Sequence, residues 1–281
     1  MSDWSPSLRQ LERESVARRL GLRRGLTATA VTITVLGLLV VGVTSSPGWP
    51  RVQATFLSWP DAKASFPAVR DGFWINIKMF LIAEPVILVL GVLVAVTRQT
   101  VSPWLTPLRL VAVAYTDLFR GVPTILVVVL CAFGIPALKL QGITTSLFAL
   151  TTFALVLSYG AYVAEVVRSG IESIHPSQIA SAEALALSRA QSMRYVVLPQ
   201  ALRRVVPPLM NDFVSLQKDT ALVSAVGVVE ALRAATDYGN FNFNYTPLLV
   251  AAAFFVVMTV PLARFTDWLS ARARQRERGG R

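Results

Sequence analysis

Asn211, Lys218, Asp219 and Thr220 crowd polar and charged chemistry into one short tract, with Asp212 and Gln217 among them. The surrounding run, 207–232, is otherwise apolar enough to read as a helix that crosses a bilayer. Lys218 lies eleven residues past Pro207. That is about 16 Å of helical rise, near the midplane of a hydrocarbon core about 30 Å thick. Ionised groups at that depth must face water, one another or a polar solute, because lipid penalises them by several kcal/mol. Lys218 and Asp219 point about 100° apart on a helix, so each reaches a different partner. A transport path for a charged solute satisfies this chemistry. So does a structural role, in which the groups brace an interrupted helix by hydrogen bonds inside a bundle. Five more charged residues stand in or beside apolar runs: Glu84, Asp117, Arg120, Glu165 and Arg168. Glu84 lies deep and has to face protein or water. Arg120 follows Asp117 by three positions and can pair with it, as Arg168 can with Glu165. Arg120 then either latches one rim of the bundle or snorkels to the interface.

The elements that position these residues are apolar runs. The chain has 281 residues, 54% of them apolar, and a mean hydropathy of +0.55. That places it among membrane proteins. Six spans are expected: Leu26–Val43, Phe73–Val96, Gly121–Leu138, Ile143–Val166, Pro207–Leu232 and Pro247–Phe265. Trp104–Leu138 is split because one helix of that length would run about 50 Å, and Leu105–Phe119 is assigned to the interface. Ser45–Gly72, rich in Pro and Trp, and Glu230–Asn244 are read as outer loops. The net charge of +11 excludes little by itself, but its arginines flank the apolar runs. The positive-inside rule explains them better than nucleic-acid binding does, and places both termini in the cytoplasm. The Arg-rich first 25 residues read as a cytoplasmic segment and not as a cleaved signal. Cys131 is the only cysteine and His175 the only histidine, which leaves no disulfide framework and no zinc spacing. No GxxxxGK[ST] motif occurs, so ATP hydrolysis is not expected of this chain.

After the fourth span, and running into the fifth, lies Ser177–Thr220, whose first half is too polar to cross a membrane. Pro176 can open a helix. Ser188 and Gln191 have capping-box spacing, so a second short helix starts there. Pro199 bounds it loosely. The turn near Ala186–Ser188 is either right-handed, continuing the helix, or a strained left-handed one. Two short helices projecting from the membrane suit docking to a soluble partner.

This stretch resembles the cytoplasmic coupling loop, the "EAA" loop, of ABC importer permeases, and most closely the branch that moves polar amino acids. The matching residues are Ser188, Gln191, Leu198-Pro199-Gln200-Ala201, Pro207-Pro208, Asn211 and Leu216–Leu222. Upstream, Leu118–Pro123, Phe133–Pro136 and Ala161–Glu165 with Arg168–Ile171 and Ser173-Ile174 resemble further motifs of that branch, in the family's order. The naming glutamate of the loop is replaced by Ala180 and its glycine by Ala186. The resemblance implies an all-α, polytopic helical bundle: a five-helix core plus one additional N-terminal helix, with a coupling loop at 171–206. The implied divisions are a basic segment at 1–25, the extra helix and outer loop at 26–72, the permease domain at 73–270 and a basic tail at 271–281. ATPase-coupling residues would be Ala180, Ala186, Ser188, Gln191, Leu198, Pro199 and Gln200. The implied partners are an ABC ATPase dimer, a second permease subunit (identical or homologous), an extracytoplasmic amino acid-binding protein and membrane lipid. No cofactor or metal is expected in this chain; ATP and Mg would sit on the ATPase. The implied setting is a bacterial cell membrane, multi-pass. The other reading of the charges is an ion-coupled carrier with Glu84, Lys218 and Asp219 as its relay.

Overall fold

The computed structural model describes residues 7–100 and 102–278, and divides into two units, 1–57 and 58–281. All regular structure among the described residues is helical. The first unit holds α1 (Leu8–Thr44) and the short α2 (Trp49–Phe56). Ser7 caps α1 by accepting the Gln10 amide. None of the described side chains of α1 is buried.

The second unit is a bundle built on two long helices, α3 (Trp59–Arg98) and α7 (Leu147–Glu172). Around them stand α4 (Thr106–Gly121), α5 (Thr124–Val129) with α6 (Ile135–Ala137), α8 (Pro176–Ala184), α9 (Arg189–Ser192), α10 (Leu198–Asp219), α11 (Ala231–Asn242) and α12 (Thr246–Arg278). Small side chains let α3 and α7 approach closely: a Cβ on Gly91 would come within 2.3 Å of the Val163 side chain. The main apolar core gathers Met79, Phe80 and Ile87 of α3, Val127 and Val128 of α5, Leu155 and Tyr159 of α7, and Leu216 of α10. A second cluster joins Val69 and Phe73 to Ala231, Ala235 and Ala251, with Phe73 edge-on to Phe255.

Four tracts are long and apolar enough to cross a membrane, in α1, at α3, in α7 and in α12. A fifth is counted if the pair of helices on either side of 121–124, bent by 106°, is one span. The tract expected as the fifth span departs most from expectation. Arg203, Arg204, Asp212, Lys218 and Asp219 make α10 too charged to qualify by composition, and it ends at Asp219. A 3-10 turn, Thr220–Val226, follows and closes on Gly227 at φ 93°. The expected helix to Leu232 is therefore broken.

Three other boundaries move. α3 begins at Trp59, because Ser58 caps it and Pro60 occupies a first-turn position that needs no amide; the loop expected up to Gly72 is largely helix. The loop expected at Glu230–Asn244 is mostly α11, capped by the Glu230 carboxylate. Its buried face is Ala231, Ala234, Ala235 and Gly239, a helical spacing of small residues that leaves few large apolar side chains as a signal. Finally, Pro199 does not end a helix. A π turn at Met193–Val197 precedes it, with the Leu198 amide bonded to the Met193 carbonyl. This shifted pattern carries the chain through a residue that has no amide. A π turn at Leu130–Gly134 likewise precedes Pro136.

Candidate transport and coupling sites

The polar tract of α10 separates into an open face and a braced one. Arg204, Pro208, Asn211, Ser215 and Lys218 follow each other at four- and three-residue steps, so they share one face. Asn211 and Lys218 are exposed on it. Lys218 also edges a cavity of about 550 Å³ whose walls are otherwise mainly apolar, among them Leu232, Ala251, Phe255 and Thr259.

The other face is occupied within the bundle. Asp219 accepts a 2.8 Å hydrogen bond from the Tyr159 hydroxyl of α7. Gln217 is buried and its side-chain oxygen accepts from Thr259 at 2.6 Å. Thr220, expected on the path, is fully buried. Its hydroxyl donates to the Gln217 carbonyl and accepts from Asn76 Nδ2 at 3.1 Å. In this conformation Thr220 is thus a brace, because the helix breaks there and turns it inward. Asn76 also donates to Glu230 Oε2 at 3.0 Å and accepts the Ala231 amide. Glu230, 0% exposed, accepts the Leu232 and Arg233 amides as well. One asparagine therefore ties both sides of the break to α3. In the sequence Asn76 and Glu230 carry only a faint signal: one amide within an apolar span and a carboxylate opening a small-residue helix.

A second cluster lies at the opposite end of the bundle. The Glu165 carboxylate receives Arg98 at 2.9 Å and Arg168 at 3.0 Å. Arg168 also bonds Glu172. The expected Glu165–Arg168 pair is present, but Arg120 turns to Glu165, 3.6 Å away, and not to Asp117. Asp117 points outward and is exposed. α4 packs on α7, which brings Glu165 to Arg120. Arg98, at the end of α3, completes the cluster and was not anticipated. Glu84, by contrast, is far along α3 from this cluster and half-buried.

The 171–206 segment forms a compact knob. His175 accepts the Ser177 amide and opens α8. Ser188 and Gln191 make the reciprocal capping box: the Gln191 amide donates to Ser188 Oγ at 3.3 Å and the Ser188 amide to Gln191 Oε1 at 2.8 Å. Just before this box, Ala186 has φ 56°, the left-handed conformation. The Leu187 amide bonds the Ala182 carbonyl and the Ala186 amide the Glu183 carbonyl. This is a Schellman closure with alanine where glycine is favoured. Ala180 lies exposed on α8, Leu198 and Pro199 are exposed at the start of α10, and Gln200 Nε2 donates to the Val196 carbonyl at 2.9 Å. Ile174, Val197 and Ala201 form a small core beneath the knob, and Arg204 bonds the Ser173 backbone and hydroxyl. Among the described residues no grouping of His, Cys, Asp and Glu could hold a metal.

The family model described as the binding-protein-dependent transport system inner membrane component matches residues 71–275. The chain belongs to that family. The permease is accordingly a multi-pass membrane subunit of an ABC importer and not an enzyme; the ATPase is a separate subunit and a binding protein works with it. It is 30% identical to the arginine transport system permease protein ArtQ of Bacillus subtilis, over 70% of this chain and 88% of that protein. The glutamate transport system permease protein GluC of Corynebacterium glutamicum is 31% identical, over 73% and 94%. A solved structure titled as an amino acid ABC transporter with histidines matches with a TM-score of 0.67 at 28% identity, covering 73% of this chain and 94% of that one. The MetNI methionine ABC transporter, at 19% identity and a TM-score of 0.59, shares the fold. No finding favours the ion-coupled carrier.

Proposed function

We propose that this permease moves a polar amino acid of the glutamate, glutamine, arginine or histidine class into the cytoplasm. The observation that carries this is the set of relatives named for arginine, glutamine and glutamate transport, matched over most of their own lengths. The open face of α10 supports it: Asn211 and Lys218 offer an amide and a cation to a solute bearing a carboxylate, while Asp219 stays beside the path through Tyr159. A single bundle leaves this face uncovered, so a second permease subunit, identical or homologous, closes the path.

In this reading an ABC ATPase dimer docks on the knob at 171–206. ATP and Mg are held on those subunits, and none is required in this chain. Closure of the ATPases moves the knob, and the small core under it passes the motion to α7 and α10. The positive-inside rule places the arginines of 9–24, the knob and the C-terminal tail in the cytoplasm of a bacterial cell. An extracytoplasmic binding protein delivers the amino acid on the other side.

The test is reconstitution of the permease with its ATPase and binding protein in proteoliposomes. Uptake of labelled glutamate, glutamine, arginine or histidine should require ATP and stop with vanadate. Uptake that persists without the ATPase and collapses with an uncoupler would assign an ion-coupled carrier instead.

A further inference from the structure

We propose that Arg120 and Glu165 form a releasable latch between the end of α4, beside its bend into α5, and α7, opening when the permease changes conformation. The inference rests on the transport reading above and assigns it a moving part.

The three arginines around Glu165 are not equivalent. Arg98 and Arg168 hydrogen-bond the carboxylate at 2.9 and 3.0 Å, and the Arg98 side chain is only 13% exposed. Removing Glu165 from Arg98 would strand a buried charge, which proteins resist strongly. Arg120 sits 3.6 Å away, beyond good hydrogen-bond distance, and is 40% exposed. Its pairing is held by charge alone, and water can take over its guanidinium. When it leaves, Glu165 keeps two partners. Arg98–Glu165–Arg168 is therefore a pin between α3 and α7, and Arg120 is the contact that can open.

Its position gives the opening a consequence. Arg120 is in the last turn of α4, next to Val122 at φ −97°, ψ 130° and Pro123 at φ −55°, ψ 132°. These two extended residues carry the 106° change of direction. A Cβ at Gly121 would meet nothing within 4 Å, so the bend is open on that side, while Val122 packs on the main core. Beyond it, Val127 and Val128 of α5 share a core with Val223 and Val226, the turn that breaks α10 after Asp219. Rotation at the bend thus shifts the wall that supports the polar end of α10.

The test uses the assembled transporter in proteoliposomes with Arg120→Met, which leaves Glu165 doubly paired. With the latch gone, basal ATPase activity without binding protein should rise about two- to fivefold, the range an exposed ion pair can supply, and uptake per ATP should fall. Raising salt should increase basal activity of the parent but not of the variant. Arg120→Lys should restore parental behaviour in part. An assembled Arg120→Met complex with parental basal activity and salt response overturns the latch. If that variant does not assemble, spin labels at Asp117→Cys and Ser169→Cys in a Cys131→Ala background decide. A distance that changes between nucleotide-free and vanadate-trapped states supports the latch, and one constant in both overturns it. Failure of the transport reading looks different: the parent complex itself would show no ATPase stimulation by any loaded binding protein.

Discussion

Replacing Ala186 with glycine should stabilise the knob at 171–206. Ala186 occupies the left-handed position of the closure that ends α8, at φ 56°. A side chain there costs about 1–2 kcal/mol, from the clash of Cβ with the following carbonyl. Glycine removes that cost but loses about 0.5–1 kcal/mol of extra backbone freedom on folding. The two hydrogen bonds of the closure, Leu187 to Ala182 and Ala186 to Glu183, do not involve the side chain and should remain. Ala186 is exposed, so no packing is lost. The balance is a gain of about 0.5–1 kcal/mol. Hydrogen exchange on the assembled complex reads this locally: amides of 182–192 should exchange about two- to fivefold more slowly, since 1.4 kcal/mol is tenfold. Had the turn been right-handed, glycine would cost about 1 kcal/mol and exchange would quicken. Faster exchange in that window would refute the left-handed assignment and the reasoning built on it.

Gly170→Val should disrupt the seat of the knob, because a Cβ on Gly170 would lie 2.1 Å from the Val205 side chain; a loss of about 1–3 kcal/mol is expected, measured as a lower midpoint of thermal unfolding in detergent. Asn76→Leu should cost about 1–3 kcal/mol by leaving the buried Glu230 carboxylate short of a donor, and limited proteolysis should then cut first near 220–230. Lys218→Met should assemble normally and lose uptake while stimulation of ATPase by the loaded binding protein persists; wild-type uptake would remove Lys218 from the path. Asp219→Asn keeps an acceptor for the Tyr159 hydroxyl, so its assembly should be intact, and size-exclusion chromatography of the purified complex checks it.

How much was legible in the sequence differs from element to element. Apolar length marked α1, α3, α7 and α12, because a helix that satisfies its own backbone needs only enough apolar residues to cross lipid. Local chemistry marked the Ser188–Gln191 box and the split before Thr124, because a cap and a Gly-Val-Pro sequence act within a few residues. The ambiguity at Ala186 was real, since alanine favours the right-handed turn and only the bonds from Leu187 and Ala186 back to α8 decide against it. What the tertiary structure alone decided is partnership. Arg120 had Asp117 within one helical turn, yet α4 lies against α7 and Glu165 prevails with Arg98 from 67 residues away in the chain. The turn that follows α10 at Thr220 is tied by hydrogen bond to Asn76, 144 residues distant. A charge or an amide in a sequence states what it needs, and only the packing of distant helices determines which group supplies it.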